Sequence, residues 1–137
     1  MREMAQFEEF GQCAICNQPS FHIPFIYSEL KNVEKSSYWV EKITEIAFGS
    51  DECGFPGDED NGTMACWYIF SMLGLYPFCP GKPEFVLTKP LVGAKIKLFN
   101  GNILTIEKGR IRDNVNKVDY FGLLGGGKLY DIEKTKK

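Results

Sequence analysis

Pro77, Pro80, Gly81, Pro83 and Pro90 interrupt the middle of this 137-residue chain at intervals too short for a helix. Proline inside a helix removes a backbone donor and collides with the preceding turn, so no long helix can cross them. The chain therefore divides into residues 1–75, where helices are allowed, and residues 76–137, which must be built from short extended runs. The two segments are expected to pack as one unit. Beyond the break, Glu84–Thr88, Ala94–Phe99 and Ile103–Glu107 have β character. In the second of these, Ile96 and Leu98 fall on one face and Lys95 and Lys97 on the other. Asn100-Gly101 stands between the last two runs and predicts a hairpin over 94–107. Val118–Phe121 and Lys128–Asp131 are weaker strand candidates. Gly125-Gly126-Gly127 reads as a flexible turn, because no strand and helix flank it as a phosphate loop requires.

Before the break the apolar spacing is helical. Trp39, Val40, Ile43, Ile46 and Ala47 repeat with the period of a helix over about 36–48, with Ser36-Ser37 as its cap and Gly49 as its end. A second helix over about 61–74 is apolar on nearly all sides and is expected to be buried. A shorter one is expected near 22–31. The fold class is then α+β, with two or three helices followed by a small, mainly antiparallel sheet.

Composition narrows the function classes. Apolar residues make up 44% and aromatic residues 14%, enough for a core. A net charge of −2 with no basic stripe argues against nucleic acid as a partner. No run approaches the roughly 18 apolar residues that span a membrane. The Lys134–Lys137 end suits a frayed, solvated tail. Five cysteines, an odd number without framework spacing, suit reduced thiols and a cytoplasmic setting. Met1–Gln6 has no apolar core of a secretory signal, and a signal on a longer parent chain stays open. Cys13 and Cys16 have the spacing of a metal or redox pair, but only His22 is near as a further ligand, so two half-buried thiols are expected.

The chemistry concentrates in Gly57-Asp58-Glu59-Asp60-Asn61-Gly62. An extended backbone there would put Asp58 and Asp60 on one side and Glu59 on the other. Asp60 or Asn61 suits the cap of the following helix, whose positive end favours ionised carboxylates. Such a pair accepts a proton, polarises water or binds a cation; equally, it forms a solvated acidic turn. It is not an EF-hand, because Gly62 falls at loop position 5 and Ile69 at position 12 when counted from Asp58.

From Gly57 to Gly81 the chain reads GDEDNGTMACWYIFSMLGLYPFCPG, and from Asn17 to Tyr27 it reads NQPSFHIPFIY. Both runs resemble signatures of glycoside hydrolase family 92, the calcium-dependent, inverting exo-α-mannosidases. The likeness extends over roughly residues 17–108. Gln18 stands where many members have Glu and keeps an oxygen donor. Phe21 stands where they have a first His and removes a polar group. Thr88-Lys89-Pro90 replaces a usual Gly-Ser-Pro.

The resemblance implies the end of an α/α barrel-like domain and a site acting on α-linked mannose of glycans. Asp58 and Asp60 would be the base side, His22 and Asn17 would contact substrate, and Gln18 and Asn17 would help hold calcium. Inverting hydrolysis also needs a general acid about 6.5–9.5 Å across the sugar from the base. The family's acid is a glutamate well upstream of the Asn17-Gln18-Pro19 motif, and Glu3, Glu8 and Glu9 are too close to it. The resemblance thus points to the C-terminal part of such an enzyme, inactive without the remainder of its parent. The alternative is a non-catalytic carbohydrate- or calcium-binding module. Helices cut from a barrel would leave Trp39, Trp67 and Phe70 on an apolar flank and favour self-association.

Overall fold

A computed structural model describes residues 13–132. Two single 3-10 turns, Gln18–Ser20 and Ile23–Phe25, lead into a short helix α1 (Ile26–Glu29). Then come α2 (Val33–Ala47), α3 (Thr63–Leu73), β1 (Leu75–Tyr76), β2 (Glu84–Leu87), β3 (Ala94–Lys97) and β4 (Ile103–Ile106). The chain continues with β5 (Lys117–Asp119), α4 (Tyr120–Leu124), β6 (Gly127–Lys128) and a 3-10 turn at Leu129–Asp131. Two three-stranded sheets result, in orders β1-β2-β5 and β3-β4-β6. Every pairing is antiparallel except β4 with β6. The fold is α+β, as the alternation of breakers and periodic runs predicts. No helix among the described residues is long and apolar enough to cross a membrane.

The hairpin forms where Asn100-Gly101 places it, with Ala94 opposite Ile106 and Lys97 opposite Ile103. Gly101 takes φ 87°, and its N–H bonds back to the Leu98 carbonyl at 2.9 Å. The helices differ in detail from expectation. α2 starts before Ser36, and its cap is Asn32, whose side chain accepts from the Lys35 N–H at 3.1 Å. Ser36 and Ser37 lie within the helix, buried, because other elements claim their hydroxyls. Ser36 Oγ accepts from the Ser28 N–H at 2.7 Å, and Ser37 Oγ from the Lys89 N–H at 2.8 Å. The expected 22–31 helix is one 3-10 turn, Ile23–Phe25, followed by a single α turn, Ile26–Glu29.

α3 is not buried on all sides: Met64, Trp67 and Ser71 face the core, while Cys66 is exposed and Ile69 is 55% exposed. Trp67 is thus a core residue, not part of an exposed flank, and Trp39 and Phe70 are half-buried. Of the weaker strand candidates, only Lys117–Asp119 and Gly127–Lys128 are extended. In the glycine run Gly126 packs tightly, since a side chain there would come within 2.9 Å of the Ile103 carbonyl, whereas Gly127 has open space around it. Cys13 and Cys16 are half-buried free thiols, as expected, and burial pushes the Cys13 thiol up. The Lys134–Lys137 tail and the acidic residues Glu3, Glu8 and Glu9 lie outside the described residues.

Two hydrophobic clusters share one wall. Ile15, Phe25, Val40, Ile43, Ala47, Met64, Trp67 and Val86 pack together on the helical side. Leu75, Leu87, Leu104, Ile106, Val118, Leu123 and Leu129 form the other. Strand side chains alternate between faces, so Val86 points into one cluster and its neighbour Leu87 into the other. Ser28 ties the layers together below. Its hydroxyl donates to the Leu87 carbonyl at 2.6 Å, and its own carbonyl accepts from the Asn116 amide at 2.8 Å.

Candidate active site

The acidic loop is fixed at its left end by close packing. Pro56 is fully buried, and a side chain on Gly57 would fall 2.6 Å from the Cys16 carbonyl. Glycine at this position lets the loop lie directly against the chain that leads into Asn17-Gln18-Pro19. To its right the backbone is not extended. Asp60, Asn61 and Gly62 take φ values of 54°, 56° and 93°, three successive left-handed residues. Asp and Asn tolerate this region better than other side chains, and Gly does so at no cost.

This left-handed turn overturns the expected capping. Neither Asp60 nor Asn61 caps α3; the cap position is Gly62, which has no side chain to offer. Glu59 does the work instead. Its carboxylate accepts from the Gly62 N–H and, at 3.2 Å, from the Ala65 N–H. The Thr63 hydroxyl bonds the Asp60 carbonyl at 2.7 Å and tightens the same turn. An anion on the free N–H groups of a helix start is favourable. The middle carboxylate is therefore structural, and its two neighbours are left for other contacts.

Asp60 uses its carboxylate on the second motif: the Gln18 side-chain amide donates to Asp60 Oδ2. Asn17, next in the chain, is exposed in extended conformation ahead of the 3-10 turn. The Asp58 carboxylate is exposed and has no hydrogen-bond partner among the described residues. The structure thus brings Gln18 and Asp60 into contact, with Asn17 and Asp58 beside them in the chain. His22 is exposed and set apart. Its ring lies 6.0 Å from Phe78, edge-on at 74°, and no hydrogen bond joins it to either aspartate among the described residues.

Phe21 faces the opposite way to His22. It is 7% exposed, its ring is 6.0 Å from Trp67, and its carbonyl accepts from Trp67 Nε1 at 2.9 Å. The apolar residue at this position serves the core. Behind it Phe25 stacks on Tyr76 with centroids 4.0 Å apart, and burial raises the Tyr76 phenol above its ordinary value. Glu59 and Phe78 were not foreseen as supporting residues. The signal for Glu59 was present, a carboxylate three residues before a helix-opening glycine; nothing local announces Phe78.

Two surface grooves lie elsewhere. One, between α2 and α3, has a volume of about 250 Å³; the other spans the α1–α2 turn and the 109–116 loop with about 1030 Å³. Neither is lined by Asn17, Gln18, His22, Asp58 or Asp60. Among the described residues no three His, Cys, Asp or Glu side chains gather around one metal position.

Residues 2–123 match the glycosyl hydrolase family 92 catalytic domain, a longer span than the two motifs cover. Over 80 residues the chain is 30% identical to an uncharacterized secreted glycosidase of Arthroderma benhamiae, covering 58% of this chain and 10% of that protein. Its fold is similar to a family 92 α-mannosidase of Bacteroides thetaiotaomicron in complex with mannoimidazole. The TM-score is 0.77 at 21% identity, over 86% of this chain and 18% of that one. It is also similar to a family 92 inverting mannosidase from the same organism, with TM-score 0.75 and 26% identity, over 92% of this chain and 19% of the other. The chain spans about a tenth of the curated relative and under a fifth of these solved structures. Motifs, fold and domain match agree, and the chain belongs to glycosyl hydrolase family 92.

Proposed function

We propose that this segment supplies the base side of an inverting α-mannosidase site acting on α-linked mannose of glycans. The observation that carries this proposal is the joining of the two motifs across 42 residues of sequence by the Gln18–Asp60 contact. Asp58, whose carboxylate is unpartnered among the described residues, is the proton acceptor. It takes a proton from the water that attacks the anomeric carbon. Asp60, held by Gln18, orients that water or its partner. Asn17 and the exposed His22 face the sugar. A separate acid must protonate the leaving oxygen, and it comes from chain outside this segment.

Calcium fits this corner as a partial occupant. Gln18, Asn17 and Asp60 carry the hard oxygen donors the ion accepts. Gln18 faces Asp60 with its amide N–H, so its side chain must turn over to present oxygen to an ion. A full shell takes about 6–8 oxygens, more than these residues provide. When bound, the ion would supply positive charge to draw in and polarise sugar hydroxyls. The residues of this segment would hold one side of it.

The isolated chain should not hydrolyse an activated α-mannoside even with calcium added. General acid catalysis contributes about 10²–10⁴-fold, and lost substrate positioning removes more. The assay compares this chain with Asp58→Ala and Asp60→Ala. Turnover that either change abolishes would place the acid within these residues and overturn the half-site assignment. Calorimetry should likewise find calcium binding no tighter than about 10⁻⁴ M, the weak end of calcium sites.

A further inference from the structure

We propose that the tip of the β3–β4 hairpin is a docking knob for the α2/α3 groove of a second copy of this chain. Phe99 is 84% exposed and Ile103 54%, large apolar surfaces left uncovered. Lys97 pairs with Ile103 across the hairpin, so the two share one face. Among the described residues the Lys97 ammonium has no ionic partner. The tip is held in place: the side-chain amides of Asn100 and Asn102 both donate to the Leu124 carbonyl, at 2.8 and 2.9 Å. A tip held in this way loses little backbone freedom on binding, and an exposed aromatic on it has the make-up of an interface hot spot.

The groove has the complementary make-up. It is lined by Tyr68, Met72 and Leu91, with Glu41, Glu45 and Lys108 also on its walls. Glu41 and Glu45 lie one helical turn apart on α2 and have no ion-pair partner among the described residues. Small-molecule pockets run to about 300–1,000 Å³. At about 250 Å³ the groove is small for a glycan but suits a single inserted side chain. Charge favours the same partner. Residues 1–75 hold 12 acidic side chains and 4 basic ones, whereas residues 76–137 hold 6 acidic and 12 basic. One copy's β half therefore attracts another copy's helical half. The contact joins two different surfaces, so each pair leaves a free knob and a free groove, and the assembly extends head to tail. It is independent of the glycosidase chemistry.

Sedimentation of the 137-residue chain tests it. The average mass should rise with concentration up to about 1 mM. It should fall in about 1 M salt, where the Debye length is about 3 Å. Phe99→Ala, and separately Glu41→Lys with Glu45→Lys, should each weaken association about tenfold or more, with circular dichroism unchanged. Lys97→Glu should act in the same direction. An equimolar mixture of the knob and groove variants should form a dimer and stop there, since one intact pair of surfaces remains. A wild-type chain that stays monomeric throughout overturns the proposal. So do variants that associate like the wild type, or a mixture that stays monomeric.

Discussion

Thr88 is a residue whose placement makes little local sense: fully buried, with a hydroxyl that has no hydrogen-bond partner among the described residues. Its backbone carries the structural load. The Thr88 N–H bonds the Gly74 carbonyl at 3.0 Å, and the Thr88 carbonyl lies so close that a side chain on Gly74 would approach to 2.5 Å. An unpaired buried hydroxyl costs about 1–3 kcal/mol, whereas an apolar group of the same shape does not. Thr88→Val should therefore raise unfolding stability by about 1 kcal/mol, measured by denaturant titration. Single residues were also where local inference most often failed. Ser36 and Ser37 have the chemistry of a cap, but their hydroxyls bond the N–H groups of Ser28 and Lys89, partners 8 and 52 residues away. Nothing in a window around Ser36 reveals that.

Among elements, those made by neighbours in sequence were legible and those made by distant partners were not. The hairpin at Asn100-Gly101 is closed by bonds spanning a few residues, so its turn signal sufficed. The capping of α3 departs from the local signal because Asp60, Asn61 and Gly62 are left-handed, not extended. The Gln18–Asp60 contact spans 42 residues, and only the resemblance of both motifs to one family linked them beforehand. Glu59 caps α3 through two backbone N–H groups, so Glu59→Ala should destabilise the chain by about 0.5–2 kcal/mol. Calorimetric melting would show it. An unchanged melting temperature would mean that the capping bonds contribute nothing in solution.

At the scale of the whole molecule, a partly buried ion cluster links the helical and β segments. Lys117 on β5 reaches Glu29 of α1 at 2.7 Å and Glu84 of β2 at 3.0 Å, with its side chain only 17% exposed. Burial alone would depress the ammonium, but the two carboxylates outweigh it and hold the Lys117 pKa above its ordinary value. A raised folded-state pKa stabilises fully below the unfolded value, about 10.4, and that stability is lost as pH rises through the folded value. Lys117→Met leaves two carboxylates facing each other and should cost about 1–3 kcal/mol at neutral pH. Its deficit relative to wild type should shrink above about pH 11, a convergence that unfolding at several pH values would record.

Strand β2 also governs how the chain comes apart. Val86 and Leu87, adjacent in sequence, are walls of opposite clusters, so neither cluster can open without exposing the other. Amide protons on this strand should accordingly be the last to exchange with deuterium, released only when every layer separates together. The helical and β halves, divided so sharply by their prolines, would then behave as a single cooperative unit.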